Sequence, residues 1–310
     1  MVVRTARLLS IAVAGVLLVL PLACGPRRQA GVAVHPSLAS LLPDDTVALA
    51  VFHVDALKSS PLYRKWIAPR ILARWNGLAR QSGFDPERDL SEAVVASNGR
   101  ETWLLARGRF AEEKIGPQLE RSGARKSVYK RYTLYGDGEA ALVFVNRETA
   151  AAGPPPLLRA LLDRGRGGRL PARLRERMRA VPAGSQIWAV SVGPNPFGSV
   201  VLPLPGGPAL ERLWNSVESI WAGADLRSGL NMTVEWTCRT KDDGKLLHDA
   251  LRGLIGLGRL NTPDRERDLL RFYDSIRVSQ RESVVRVDTQ VSQDLLEKFL
   301  SRMERLAGQG

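Results

Sequence analysis

The chain has 310 residues, 44% of them hydrophobic and 25% charged, with a formal net charge of +13. That is room for two modest globular domains and excludes a disordered or fibrous chain. Two cysteines, Cys24 and Cys238, exclude a disulfide framework and a multi-cysteine metal site, and three scattered histidines, His35, His53 and His248, suggest no metal cluster.

The chain opens with Arg4 and Arg7 before an apolar run, Leu8 to Ala23, that ends in LPLAC at Cys24. A charged segment, an apolar segment and a small residue before a cut are the three parts of a secretory signal. The Leu22-Ala23-Cys24 ending resembles the lipobox of bacterial lipoproteins, with Pro21 where that pattern usually has Leu. The resemblance implies cleavage before Cys24, a diacylglyceryl thioether on its sulfur and an acylated N-terminus. It therefore implies an exported protein, anchored by lipid to a membrane of the bacterial cell envelope on its periplasmic or outer face. An ordinary secretory signal cut near Ala23 and an uncleaved anchor stay open as alternatives, although the run is shorter than the ~20 residues a bilayer-spanning helix needs. Residues 24–42 read as a flexible tether, because GPRRQAGVAVHPS is basic, contains Gly and Pro, and has no apolar period.

The remainder reads as an internal duplication, with repeat 1 over 43–148, a linker over 149–181 and repeat 2 over 182–306. LPDDTVALAVFHV and VPAGSQIWAVSV align on Pro43 and Pro182, which matches Thr46 with Ser185, Leu49 with Trp188, Ala50 with Ala189 and Val51 with Val190. Each is a turn followed by a β-rich apolar run, the pattern of a buried strand. In repeat 1, Ser60 and Pro61 start a helix, kinked at Pro69, that runs to Gly83. Strands follow at Glu92–Ser97 and Thr102–Phe110, then a helix at Glu112–Ser122. A hairpin, Val128–Tyr135 with Ala140–Asn146, turns at GDG, and a helix at Leu157–Leu162 closes the repeat. In repeat 2, Leu210, Leu213, Trp214, Val217 and Ile220 predict a helix over Pro208–Ala222. Strict alternation predicts a strand at Leu230–Cys238, and a helix follows from Asp242 to about Leu257. A hairpin of Ser275–Ser279 with Val284–Val291 comes next, then a helix capped by Ser292. Each repeat thus reads β-α-β-β-α-β-β-α, an α+β fold with mixed or antiparallel sheets and helices packed on one face. The layout is similar to uncharacterised families of exported bacterial proteins, and that resemblance carries no biochemical role. The linker, with PPP and RGRGGR, reads as short helical pieces around a basic loop.

The basic excess is mostly Arg and is spread along the chain among Asp and Glu, as coding bias and a solvated surface would give. An anionic surface, such as an envelope glycan or lipid headgroup, is the functional alternative; nucleic acid is not an expected partner for an exported chain.

Candidate chemistry is sparse. His53 and Asp55 would share a face if their strand continued, but no nucleophile motif accompanies them. Asp44–Asp45 reads as a turn and Asp242–Asp243 as helix-capping acids, since neither has the alternating oxygen ligands of a Ca²⁺ loop. His248 belongs to a solvated helix face. RGRGGR lacks phosphate-loop spacing. Asn231 heads a glycosylation sequon inside a predicted strand. Cys238 falls in line with core residues, as an inert thiol. Trp66, Trp75, Trp214 and Trp236 lie on apolar faces. The apolar loop Gly193–Pro208 reads as tucked against the sheets or as a docking element. We therefore expect a non-catalytic envelope scaffold or binding module with Cys24 as the lipidation site and no cofactor. Its expected partners are the membrane and another envelope protein or anionic surface. A hydrolase whose residues converge only in the fold is the alternative.

Overall fold

Alternating apolar residues dictate strands along most of the chain, and in the computed structural model these join one antiparallel sheet of twelve strands. The structure describes residues 31–69, 84–165, 167–193 and 213–307. In chain order the first elements are α1 (Pro36–Ala39), β1 (Ala48–Phe52), α2 (Val54–Lys58), a π-helical turn (Tyr63–Ile67) and α3 (Pro86–Asp89). They are followed by β2 (Leu90–Ser97), β3 (Thr102–Gly108), α4 (Glu112–Arg121), β4 (Arg125–Tyr129) and β5 (Tyr132–Gly136). Next come β6 (Ala141–Asn146), β7 (Thr149–Gly153), α5 (Pro155–Arg164), α6 (Ala172–Ala180) and β8 (Ile187–Val192). The second half continues with β9 (Val217–Asp225), β10 (Gly229–Cys238), α7 (Lys241–Leu260) and α8 (Arg267–Asp274). It closes with β11 (Ile276–Arg281), β12 (Val284–Ser292) and α9 (Gln293–Ala307).

The strand order is β11-β12-β10-β9-β8-β1-β2-β3-β7-β6-β5-β4. The halves meet where β1 pairs antiparallel with β8, placing Ala50 opposite Ala189 and Ala48 opposite Ser191. Residues Gly31–Gly310 form one compact unit.

The α+β class is as the sequence predicts, but helices cover both faces of the sheet rather than one. One face carries Leu49, Val51, Trp103, Leu105, Trp188 and Val190 under α1, α5 and α6. On the other face, α2, the π-helical turn and α9 cover the sheet's middle through Leu57, Trp66 and Leu296. There α7 sets Leu247 on Trp236 and Val285, while α4 sets Ile115 near Tyr135 and Phe144. The reason is visible in β1, where four consecutive residues, Ala48 to Val51, are buried. A strand apolar on both sides needs two covers.

Four further expectations change. The tether does not extend through residue 42: Val32, Val34, Leu38, Leu41 and Leu42 are buried in the main core. The linker is not outside the sheet, because its first residues form β7 between β3 and β6. The helix expected over Pro208–Ala222 gives way to strand β9 from Val217, with 208–212 outside the described residues. The strand expected over Val128–Tyr135 is two, β4 and β5, turned at Lys130, which takes φ 53°.

Adjacent residues of β3 test the layering. Leu105 is fully buried and Leu104 is 38% exposed. Leu105→Ala is expected to cost about 2–5 kcal/mol in chemical denaturation, and Leu104→Ala less than about 1 kcal/mol.

Candidate functional site

Two polar regions interrupt the face that α1, α5 and α6 cover. The first lies at the ends of β1, β2 and β8. His53 follows β1, its backbone N–H held by the Gln186 carbonyl, and its ring Nε2 accepts a 3.0 Å hydrogen bond from Trp188 Nε1–H. Its Nδ1 lies 3.7 Å from Glu92 Oε2. Glu92 is buried, accepts the His35 backbone N–H at 3.1 Å and sits across from Arg107 on β3. Burial pushes the Glu92 carboxyl up, but His53, the His35 N–H and the Arg107 charge outweigh it and hold the group below the usual carboxylate range.

This is a structural constellation and not a general base. The indole N–H only donates, so it occupies the ring nitrogen a base would use and fixes the tautomer with its proton towards Glu92. No hydroxyl or thiol hydrogen-bonds to the His53 ring among the described residues. Asp55, the carboxylate the sequence placed beside His53, turns away instead. The strand ends at Phe52, Asp55 enters α2, and it pairs with Lys58 at 2.8 Å.

The second region is larger. Where the cover of α6 ends, the face over β9, β10, β12 and β11 is polar and open, and forms a groove of about 530 Å³. Its floor follows from register. Gly223, Thr233, Asp288 and Arg277 form one row across the four strands. Trp221, Glu235 and Arg286 form the next row. Thr233 Oγ1 donates to Asp288 Oδ1 at 2.7 Å, and Arg286 Nε donates to Asp288 Oδ2 at 2.9 Å. The Arg286 hydrogen bond, above all, holds the Asp288 carboxyl below its usual range. Trp221 Nε1–H donates to Glu235 at 2.8 Å, and the Arg286 guanidinium lies 5.8 Å from the Trp221 ring centre. Asn231, Gln290 and Asp225 extend the floor, and Ser185 forms the rim. Gly223 is required there, because a Cβ would stand 2.5 Å from Ser185 Oγ. The groove offers donors, acceptors and both charges on a rigid strand platform, with no nucleophile–base pair among the described residues.

Other sequence candidates stand apart from both regions. Cys24 lies outside the described residues. Asp44 accepts the Arg169 backbone N–H, and Asp45 accepts from Asn98. Asp242 and Asp243 occupy the first turn of α7, capped by Thr240. His248 contacts Asp249 on the same helix. Burial pushes the Cys238 thiol up to about 11, so it stays protonated at neutral pH. In RGRGGR, Gly168 N–H binds the Ser40 carbonyl. Trp66 and Trp236 are buried, Trp214 packs under α7, and Trp75 lies outside the described residues, as does the loop after Gly193. No group of three or more His, Cys, Asp or Glu side chains among the described residues is placed to hold a metal ion.

Sequence reasoning missed Glu92, Trp188 and the groove. Glu92 and Trp188 carry no local signal. The groove does: Arg286, Asp288 and Gln290 occupy alternate positions of one strand, opposite Thr233 and Glu235.

Neither the family models nor the curated proteins contain a match to this chain. Among solved structures, crystal form III of TP0453 superposes with a TM-score of 0.50 at 12% identity, over 87% of this chain and 99% of that one. Crystal form I of TP0453 gives 0.45 at 11% identity, over 87% and 98%. The likeness is one of fold. It leaves the groove to be judged on its own residues.

Glu92 gives a pH-dependent test. A carboxyl held below its ordinary pKa adds stability above that value and loses it as pH falls through the folded value. Glu92→Gln is expected to lower stability by about 1–3 kcal/mol at pH ~7. The gap to wild type should narrow below pH ~4, read from thermal melts at both pH values.

Proposed function

We propose that this chain is a bacterial lipoprotein, exported and anchored through Cys24 to a membrane of the cell envelope. There it acts as a non-catalytic binding or scaffold module. The LPLAC ending after a charged and apolar leader supports the anchor. The observation that carries the binding role is the groove over β9 to β12. The face is polar and open, and its floor is tied by cross-strand hydrogen bonds from Thr233 to Asp288 and from Trp221 to Glu235 and by the Arg286–Asp288 ion pair along β12. Arg277 stands on the exposed floor with no ion-pair partner within 4.0 Å among the described residues, which favours a ligand with an anionic group. An envelope glycan or an acidic segment of another envelope protein has that chemistry.

The two halves are, on this reading, diverged repeats. Support comes from the central seam, where the residues matched by the proline alignment, Ala50 and Ala189, lie opposite each other. Further support is that β2 and β3 follow β1 outward as β9 and β10 follow β8.

Metabolic labelling with an alkyne fatty acid tests the anchor. Label and membrane association are expected for the wild type and absent for Cys24→Ala; an unlabelled wild type rejects the anchor. Capture from envelope extracts tests the groove. Arg277→Glu with Asn231→Ala is expected to reduce partner recovery about tenfold while leaving the melting temperature within a few degrees. Equal recovery would place the binding surface elsewhere.

A further inference from the structure

Strand β11 is an open edge of the sheet. It pairs with β12 in unbroken register on one side and with no strand on the other among the described residues. The hairpin between them closes with Arg281 opposite Val284, so the hydrogen-bonded pairs of this ladder set Arg277, Ser279 and Arg281 against Asp288, Arg286 and Val284. The Cys238 N–H, bonded to the Ser283 carbonyl, fixes the same alternation from the β10 side. The main-chain N–H and C=O groups of Val278 and Gln280 therefore point away from β12, past the edge of the sheet. Such a row of main-chain groups is a template for one more strand.

The side chains along β11 say which strand fits. Ile276 and Val278 pack on the α7 side, while Arg277, Ser279 and Arg281 are exposed on the face that carries the groove. Asp288, opposite Arg277, already accepts from Thr233 and Arg286, and Arg281 has no ion-pair partner among the described residues. The acids at either end of β11 are engaged elsewhere, Glu282 with Lys241 and Asp274 with Arg259. A second copy of β11 fits badly, because the antiparallel register that pairs the whole strand sets Arg277 against Arg281 at both ends. A strand with acids at alternate positions fits well. In antiparallel pairing its acids stand opposite Arg277 and Arg281, and the residues between them exchange main-chain hydrogen bonds with Val278 and Gln280. At the sheet's other edge, β4, Lys126 is already ion-paired to Glu120.

We infer that the anionic ligand is an extended acidic segment of another protein, added antiparallel to β11 as one further strand, with carboxylates at alternate positions against Arg277 and Arg281. The inference rests on the groove reading above for the anionic character of the ligand; the strand geometry comes from β11 itself. Main-chain hydrogen bonds supply the affinity, and the two arginines select the sequence. A glycan offers no row of amides at strand spacing to meet Val278 and Gln280.

The test uses residues 31–310, the compact unit that holds every described element. A fluorescent peptide of about seven residues, with Glu at alternate positions and Thr or Val between, is titrated with the protein and read by polarisation. Binding is expected, and the same peptide with Lys in place of Glu should bind at least about tenfold more weakly. Arg277→Gln with Arg281→Gln should weaken the acidic peptide about tenfold, with a melting temperature within a few degrees of wild type because both side chains are exposed. Backbone N-methylation of the peptide separates strand addition from charge attraction. N-methyl groups on the residues between the glutamates should abolish binding, and N-methyl groups on the glutamates should spare it, because only the former N–H groups face β11. Binding that the arginine substitutions remove and N-methylation leaves alone overturns the added strand, and the groove stands as an anion-binding surface. No binding of the acidic peptide also overturns the inference; capture of alginate in its place keeps the groove reading with a glycan as the ligand. A protein dimer that the acidic peptide dissociates overturns it as well, because a second copy then occupies β11.

Discussion

The pairing of β1 with β8 holds this molecule together. Five residues of β1 meet five of β8 in antiparallel register, and the strands belong to different halves of the chain. Both faces of the seam are apolar: Leu49, Val51, Trp188 and Val190 fill one side, Ala48, Ala50 and Ala189 the other. Small residues on the second side leave room for α2 and the π-helical turn, and between these two the Ser60 hydroxyl reaches across to the Leu226 carbonyl at 2.6 Å. The His53–Trp188 hydrogen bond ties the same seam at its end. A break here would expose apolar surface on both faces and leave two unpaired strand edges, so the halves cannot separate cheaply.

A sheet continuous across the seam explains where binding surface is available. Helices α1, α5 and α6 come from the first half and the segment that joins the halves, and their cover runs out over β9. The strands beyond it cannot be apolar on that face without exposing a large patch. They carry Thr233, Glu235, Arg286 and Asp288: Thr233 donates across strands to Asp288, Trp221 donates across strands to Glu235, and Arg286 pairs with Asp288 along β12. The groove is therefore a consequence of unequal helix cover, and its polarity is demanded by the fold before any ligand is considered. Arg277 stands opposite Asp288 and adds its charge to that carboxylate, yet its side chain stays exposed, and it points the reading towards an anionic ligand.

Much of this architecture is legible in the sequence. Strict alternation in β10 and β12 marks both strands, and the leucine spacing of α7 marks that helix, because each has one buried side. The errors fall where both sides are buried or where spacing is ambiguous. Trp214, Val217 and Ile220 recur at helical intervals, yet Val217, Ser219, Trp221 and Gly223 also alternate, and pairing with β8 and β10 decides for a strand. The segment GVAVHPSLASLL looks like a spacer by its Gly and Pro, while its Val and Leu residues fill the core. Double cover of the sheet was written in ALAV, four apolar residues without alternation. The site is less legible. Glu92 and Trp188 meet His53 only through tertiary pairing, and local sequence offers the nearer but wrong carboxylate, Asp55.

Native-state hydrogen exchange tests the central seam most directly. If the two halves share one sheet, amides of Ala48–Phe52 and Ile187–Val192 open only with global unfolding, at the same free energy as those of β3 and β10. Exchange at the seam through a cheaper opening, with β3 and β10 still protected, would mean two independent domains and would contradict this account.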